Sequence, residues 1–175
     1  MRPDPETLEP LHPDQEKVVA KFRTRFSDAV LESQSFRKQL SIWIRRDVLL
    51  DALRLAQTEP DLLCDLLCDL TAVDYLDHRG PGEPRDEMVY NLSSIPLNHR
   101  FFLKCGLNDG ESLPSATQVW KGANFMEREV YDLFGIHFDG HPNLERLALW
   151  TAPRWMRLAR GQRSSNLTGN LHCQA

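Results

Sequence analysis

Asn124–Arg146 reads NFMEREVYDLFGIHFDGHPNLER, and the rest of the 175-residue chain takes its meaning from it. Val119, Ala123, Met126, Val130 and Leu133/Phe134 recur at spacings of three and four. That period predicts one apolar face of a helix beginning near Pro114. Ser115 and Gln118 stand at capping-box spacing, where a serine oxygen accepts one of the orphan amides of a helix start. Gly135 is expected to stop the helix, because glycine enters the left-handed region without steric cost, and Ile136 follows where an apolar residue locks onto the last turn.

Glu127, Arg128, Glu129 and Asp132 lie off that apolar face. Such a run is commonly a solvated face with weak internal pairing, about 0.2–0.5 kcal/mol per pair. Here Phe125, Tyr131, Phe134 and Phe138 surround the charges, and arginine among aromatics is a composition that interfaces favour. The expectation is a helix that buries two faces, one in its own core and one against a partner.

The segment resembles the diagnostic stretch of the C-type subunit of NADH-quinone oxidoreductase, the thirty-kilodalton subunit of respiratory complex I. Glu127, Arg128, Glu129, Val130, Tyr131, Asp132, Leu133, Phe134, Gly135, Ile136, Phe138, Gly140, His141, Pro142, Leu144 and Arg146 carry the likeness. Related subunits of membrane-bound hydrogenases and of photosynthetic complex I relatives carry looser versions, and the equivalent subunit of a membrane-bound hydrogenase or of a ferredoxin-dependent complex I relative is the alternative. The resemblance implies an α+β domain, a mostly antiparallel mixed sheet packed against helices in two layers. It implies a scaffold subunit of the peripheral arm with no catalytic, cofactor or metal site of its own. FMN, Fe-S clusters and quinone would sit in other subunits of the assembled complex. The expected partners are the large D-type subunit of the quinone module and its B-type Fe-S neighbour, at the cytoplasmic face of the inner membrane. Glu127, Arg128, Glu129 and Asp132 would form buried, charge-assisted pairs with a partner, above a packed corner of Tyr131, Phe134, His141 and Pro142, and Gly135, Gly140 and Arg146 belong to the same interface motif.

Composition agrees with a globular protein: hydrophobic residues make up 41% and charged residues 26%. A net charge of −4 gives no reason to expect nucleic acid. No apolar run approaches the roughly 20 residues of a membrane span, so membrane association is expected only through partners. The four cysteines, at 64, 68, 105 and 173, form no Cys-x-x-Cys and are expected to be free thiols. His137 and His141 stand four apart, but Gly140 and Pro142 argue against a helix carrying both as metal ligands. Nucleotide-binding glycine motifs and a nucleophile elbow are absent. Glu127 and Glu129 project about 200° apart on a helix and cannot share an acid–base site.

Read in order, residues 1–13 are expected to be a mobile leader and 14–150 the domain. Asp14–Phe26 carries Val18, Val19, Phe22 and Phe26 on one helical stripe. Ala29–Leu31 and Leu40–Ile44 read as a hairpin across Gln34–Gln39, and Asp47 as the cap of a helix that ends before Pro60. Leu62–Leu76 is ambiguous by period; the resemblance implies a strand through Thr71–Tyr75. Asp77–Arg85 reads as a turn, Glu87–Ile95 and Arg100–Leu107 as strands. Residues 151–175 hold Arg154, Arg157, Arg160 and Arg163 without Asp or Glu and do not match the resemblance. They are expected to be a disordered basic tail, either divergent or out of frame.

Overall fold

A computed structural model describes residues 9–75, 80 and 82–147. The expectations for residues 1–8 and for the tail 151–175 lie outside the described residues. Helix α1 (Pro13–Phe26) opens on Pro13, whose missing N–H is one that a helix start leaves unbonded anyway. The His12 ring accepts from the Asp14 amide, while the Gln15 side chain accepts from the His12 amide. Val18, Val19 and Phe22 face inward. The last residues of the expected leader are therefore built into the fold. Glu9 donates its amide to the Ser35 carbonyl at 3.0 Å and accepts the Lys38 amide at 3.1 Å, and Pro13 is already helical.

Strands β1 (Val30–Phe36) and β2 (Gln39–Ile44) form the expected hairpin, with Gln34–Phe36 in the strand rather than the loop. Arg37 and Lys38 supply the turn with φ of 50° and 62°, the left-handed pair that a tight two-residue hairpin demands. Helix α2 (Leu49–Thr58) follows a 3₁₀ turn at Arg46–Val48. Asp47 does not cap it: its carboxylate is held by Arg45, at 3.1 Å from Nε and 2.6 Å from Nη2.

Strands β3 (Leu66–Asp74), β4 (Asp86–Ser94) and β5 (His99–Leu107) complete a five-stranded sheet of order β1-β2-β5-β4-β3. Every neighbouring pair is antiparallel except β2 and β5. The fold is thus α+β with a mostly antiparallel mixed sheet. Alternation along the strands buries Leu40, Ile42 and Ile44, Met88, Tyr90 and Leu92, and Phe101, Leu103 and Cys105. These pack in one cluster with Phe22 of α1 and Leu49, Ala52, Leu53 and Ala56 of α2, which makes the second layer.

The register places Trp43, Lys104 and Glu87 on the other face. The Trp43 indole N–H donates to Glu87 at 3.0 Å, and the Lys104 ammonium lies 3.5 Å from the same carboxylate and 4.5 Å from the indole ring centre. Gly106, opposite Glu87, has no room for a side chain: a Cβ there would meet Pro84 Cγ at 2.5 Å. Gly106→Ala is accordingly expected to destabilise the chain by about 1–2 kcal/mol through overpacking. Urea denaturation measures this, and an unchanged midpoint would show that the Pro84 ring yields.

Candidate partner-docking site

The organising helix, α3, spans Ala123–Phe134 and begins later than its period suggests. Ala116–Gln118 is a separate 3₁₀ turn, because the amide of Ala116 is turned across toward Glu127 instead of entering a continuous helix. Ser115 caps that turn, accepting the Thr117 amide at 3.2 Å, and the Gln118 side chain accepts from Arg54 at 3.1 Å. Gly135 ends α3 at φ 76°, its amide bonded to the Tyr131 carbonyl at 2.9 Å, and Ile136 is buried behind it. Two short strands that the sequence did not announce, β6 (Ser112–Pro114) and β7 (His137–Asp139), pair in parallel and tie the entry to α3 to its exit.

Ala123, Glu127, Val130 and Asp132 are the buried residues of α3. Glu127 is the correction with the largest consequence. Its side chain is 0% exposed, so it is not offered to a partner. One carboxyl oxygen accepts the Ser115 hydroxyl at 2.7 Å and the other the Ala116 amide at 2.5 Å. Burial pushes this carboxyl up from 4.5 to about 7, although both hydrogen bonds favour the charged form.

The segment after β7 folds back along α3. Gly140 turns at φ 79°. The His141 ring lies 3.1 Å from the Asn124 carbonyl through Nε2 and accepts the Asn143 amide at Nδ1, 3.0 Å away, while Pro142 is exposed. Arg128 donates from Nε to the Glu145 carbonyl at 2.9 Å, with its guanidinium 5.8 Å from the Phe125 ring centre. Arg146 approaches the nearly buried Asp132 carboxylate at 4.0 Å. Tyr131 meets the His137 ring edge-on at 6.4 Å, and Phe134 packs partly buried on the core. Arg128, Asp132 and Arg146 thus have contacts inside the chain that sequence reasoning had reserved for a partner. Glu129 remains exposed. Among the described residues no trio of metal-ligating side chains gathers; His137 faces Asp139 at 3.4 Å on an exposed edge.

On the outside of α3, Phe125, Met126, Glu129, Asp132, Leu133 and Leu147 line a hollow of about 270 Å³. Phe125 is 66% exposed, a large aromatic on the surface with the Arg128 guanidinium over its ring. Leu147 escaped sequence reasoning because it lies beyond the motif and reaches the hollow only through the folded-back segment. No helix among the described residues is long and apolar enough to cross a membrane.

A family model described as "Respiratory-chain NADH dehydrogenase, 30 Kd subunit" matches residues 42–158. The C-type subunit of NADH-quinone oxidoreductase from Roseiflexus castenholzii is 41% identical over 137 residues, 78% of this chain and 76% of its own. The fused C/D-type subunit of Azotobacter vinelandii is 34% identical over 154 residues, which cover 85% of this chain and 26% of that longer one. Among solved structures, the trypsin-resistant fragment of Nqo5 superposes with a TM-score of 0.64 at 31% identity, covering 75% of this chain and 99% of the fragment.

Proposed function

The chain belongs to the family of the respiratory-chain NADH dehydrogenase 30 Kd subunit, and on that premise we propose that it is a scaffold subunit in the peripheral arm of an NADH-quinone oxidoreductase. Electrons would pass from NADH through FMN and Fe-S clusters to quinone in neighbouring subunits, with this chain holding the quinone module in fixed relation to them. Its place would be peripheral, at the cytoplasmic face of the inner membrane, attached through those neighbours. A B-type Fe-S subunit is the second expected neighbour.

The observation that carries this reading is the hollow on the outer face of α3, apolar along Phe125, Met126, Leu133 and Leu147 and acidic at Glu129. Its occupant is taken to be the D-type subunit, presenting an apolar side chain with a cation beside it. The fused C/D relative supports that choice, since by its name it joins a C-type and a D-type unit in one polypeptide. An aromatic anchor in an apolar centre with a polar rim is the usual make-up of an interface.

The test is an affinity pull-down of the chain from its native host, with partners identified by mass and metal assayed. Recovery of D-type, B-type and flavin-bearing subunits is the expected result. Recovery of hydrogenase subunits in their place would select the alternative membership. The chain alone, or with a stoichiometric metal of its own, would overturn the scaffold reading.

A further inference from the structure

We propose that Glu127 and His141 form a proton-dependent latch, which holds segment Gly140–Leu147 against α3 while Glu127 keeps its proton and releases it when that proton is lost. Both side chains are 0% exposed, and Glu127 Oε2 lies 3.9 Å from His141 Nε2. Each nitrogen of the ring already has a task. Nδ1 accepts the Asn143 amide and so carries no hydrogen, whereas Nε2 faces the Asn124 carbonyl, an acceptor, and so carries one. In the closed segment both ring nitrogens are thus engaged away from Glu127.

Among the described residues no Lys or Arg pairs with Glu127; Arg128, its neighbour on α3, is turned to the Glu145 carbonyl and the Phe125 ring. From the sheet, the group coupled to Glu127 is Tyr90 of β4, fully buried, its hydroxyl without a hydrogen-bond partner among the described residues. Cys105 of β5 stands beside Tyr90, raised to about 12 by burial and so uncharged. The turn at Ser115–Gln118 meets the carboxyl through the Ser115 hydroxyl and the Ala116 amide.

A neutral carboxyl suits this enclosure. Hydrogen on Oε2 passes to Ser115 Oγ, whose own hydrogen passes to Thr117 Oγ1 2.6 Å away, and Oε1 keeps the Ala116 amide. A charged carboxylate is short of solvation, and the His141 segment is the cover that lifts to admit water. The folded value of Glu127, about 7, lies above the ordinary 4.5. The stability this group contributes is thus whole below about 4.5, declines as pH rises and is lost above about 7. Because Leu147 and the Glu145 contact to Arg128 ride on this segment, the hollow on α3 is complete only in the latched state. That consequence rests on the docking reading of the hollow. The latch itself is measured on the unpartnered chain, so either can fail without the other.

Hydrogen–deuterium exchange of the full chain between pH 5.5 and 8.5, corrected for the intrinsic pH dependence of exchange, reads the latch directly. Protection of peptides over residues 138–147 is expected to fall about tenfold between pH 6 and 8, with β4 peptides unchanged. Glu127→Gln, which has no proton to lose, is expected to keep the segment protected throughout. A wild-type segment whose protection is flat or rises with pH would overturn the latch, as would an identical decline in the glutamine variant. Should that variant fold poorly, carbon NMR of the wild-type Glu127 carboxyl decides. A midpoint near neutrality that coincides with segment opening supports the latch, and a midpoint near 4.5 removes it.

Discussion

Glu127→Ala is expected to lower the unfolding free energy by about 3 kcal/mol at pH 5, while Glu129→Ala, two positions on, changes it by less than about 0.5 kcal/mol. Both are glutamates of one helix, yet their surroundings differ in kind. Glu127 shares a hydrogen bond with Ser115 Oγ and accepts the Ala116 amide inside the protein, and Glu129 stands exposed. Removing the carboxyl leaves the Ala116 amide buried without its acceptor, at about 1–3 kcal/mol, and opens a void where the carboxyl group had been. The Ser115 hydroxyl has Thr117 as a second acceptor, so the Ala116 amide bears most of the loss. The difference between wild type and variant is expected to narrow as pH approaches 7, because only wild type carries a buried acid whose folded value is raised to about 7. Urea denaturation at pH 5 and pH 7.5 measures both effects. Equal costs for the two alanines, or a gap that widens with pH, would show that Glu127 does not organise the turn before α3.

Several elements are legible in the sequence alone. The Val18, Val19 and Phe22 stripe, the hairpin, the strands β4 and β5 and the glycine stop at Gly135 all announce themselves through local period or a conformational requirement. Other features are decided by residues distant in sequence. Glu127 occupies the buried row between Ala123 and Val130, where a charged letter reads as an interruption of the apolar face. Its partners lie eleven and twelve positions earlier, in a turn whose capping-box spacing suggested helix. Asp47 has the right letter for a cap but a stronger local partner in Arg45. Strands β6 and β7 have three residues each, too short for any period, and the parallel joining of β2 to β5 brings together strands far apart in the chain. The family segment therefore told more about membership than about which way each side chain points.

Phe125→Asp combined with Glu129→Arg is expected to cut recovery of the D-type subunit at least tenfold, with a melting temperature within about 2 °C of wild type. A tenfold loss corresponds to about 1.4 kcal/mol, and an aromatic anchor at an interface centre commonly contributes 2 kcal/mol or more. Phe125 is 66% exposed, so an aspartate there costs the isolated chain little and can even pair with Arg128 beside it. Against a partner the same change sets a carboxylate into the apolar wall of the hollow, and the arginine reverses the charge a partner cation would meet. Ile95→Asp serves as control: it is 69% exposed, but it sits in the β4–β5 turn and does not line the hollow. Full recovery with the double variant would sink the assignment of the hollow, whatever the family, and an equal loss with the Ile95 control would show a general effect of surface charge. Only loss in the first with retention in the second ties assembly to α3. Because neither changed residue bonds to Glu127 or His141, the result also separates the surface from the latch beneath it. A docking face that fails at constant stability is an interface, whereas one that fails together with its fold would only be the outside of a core.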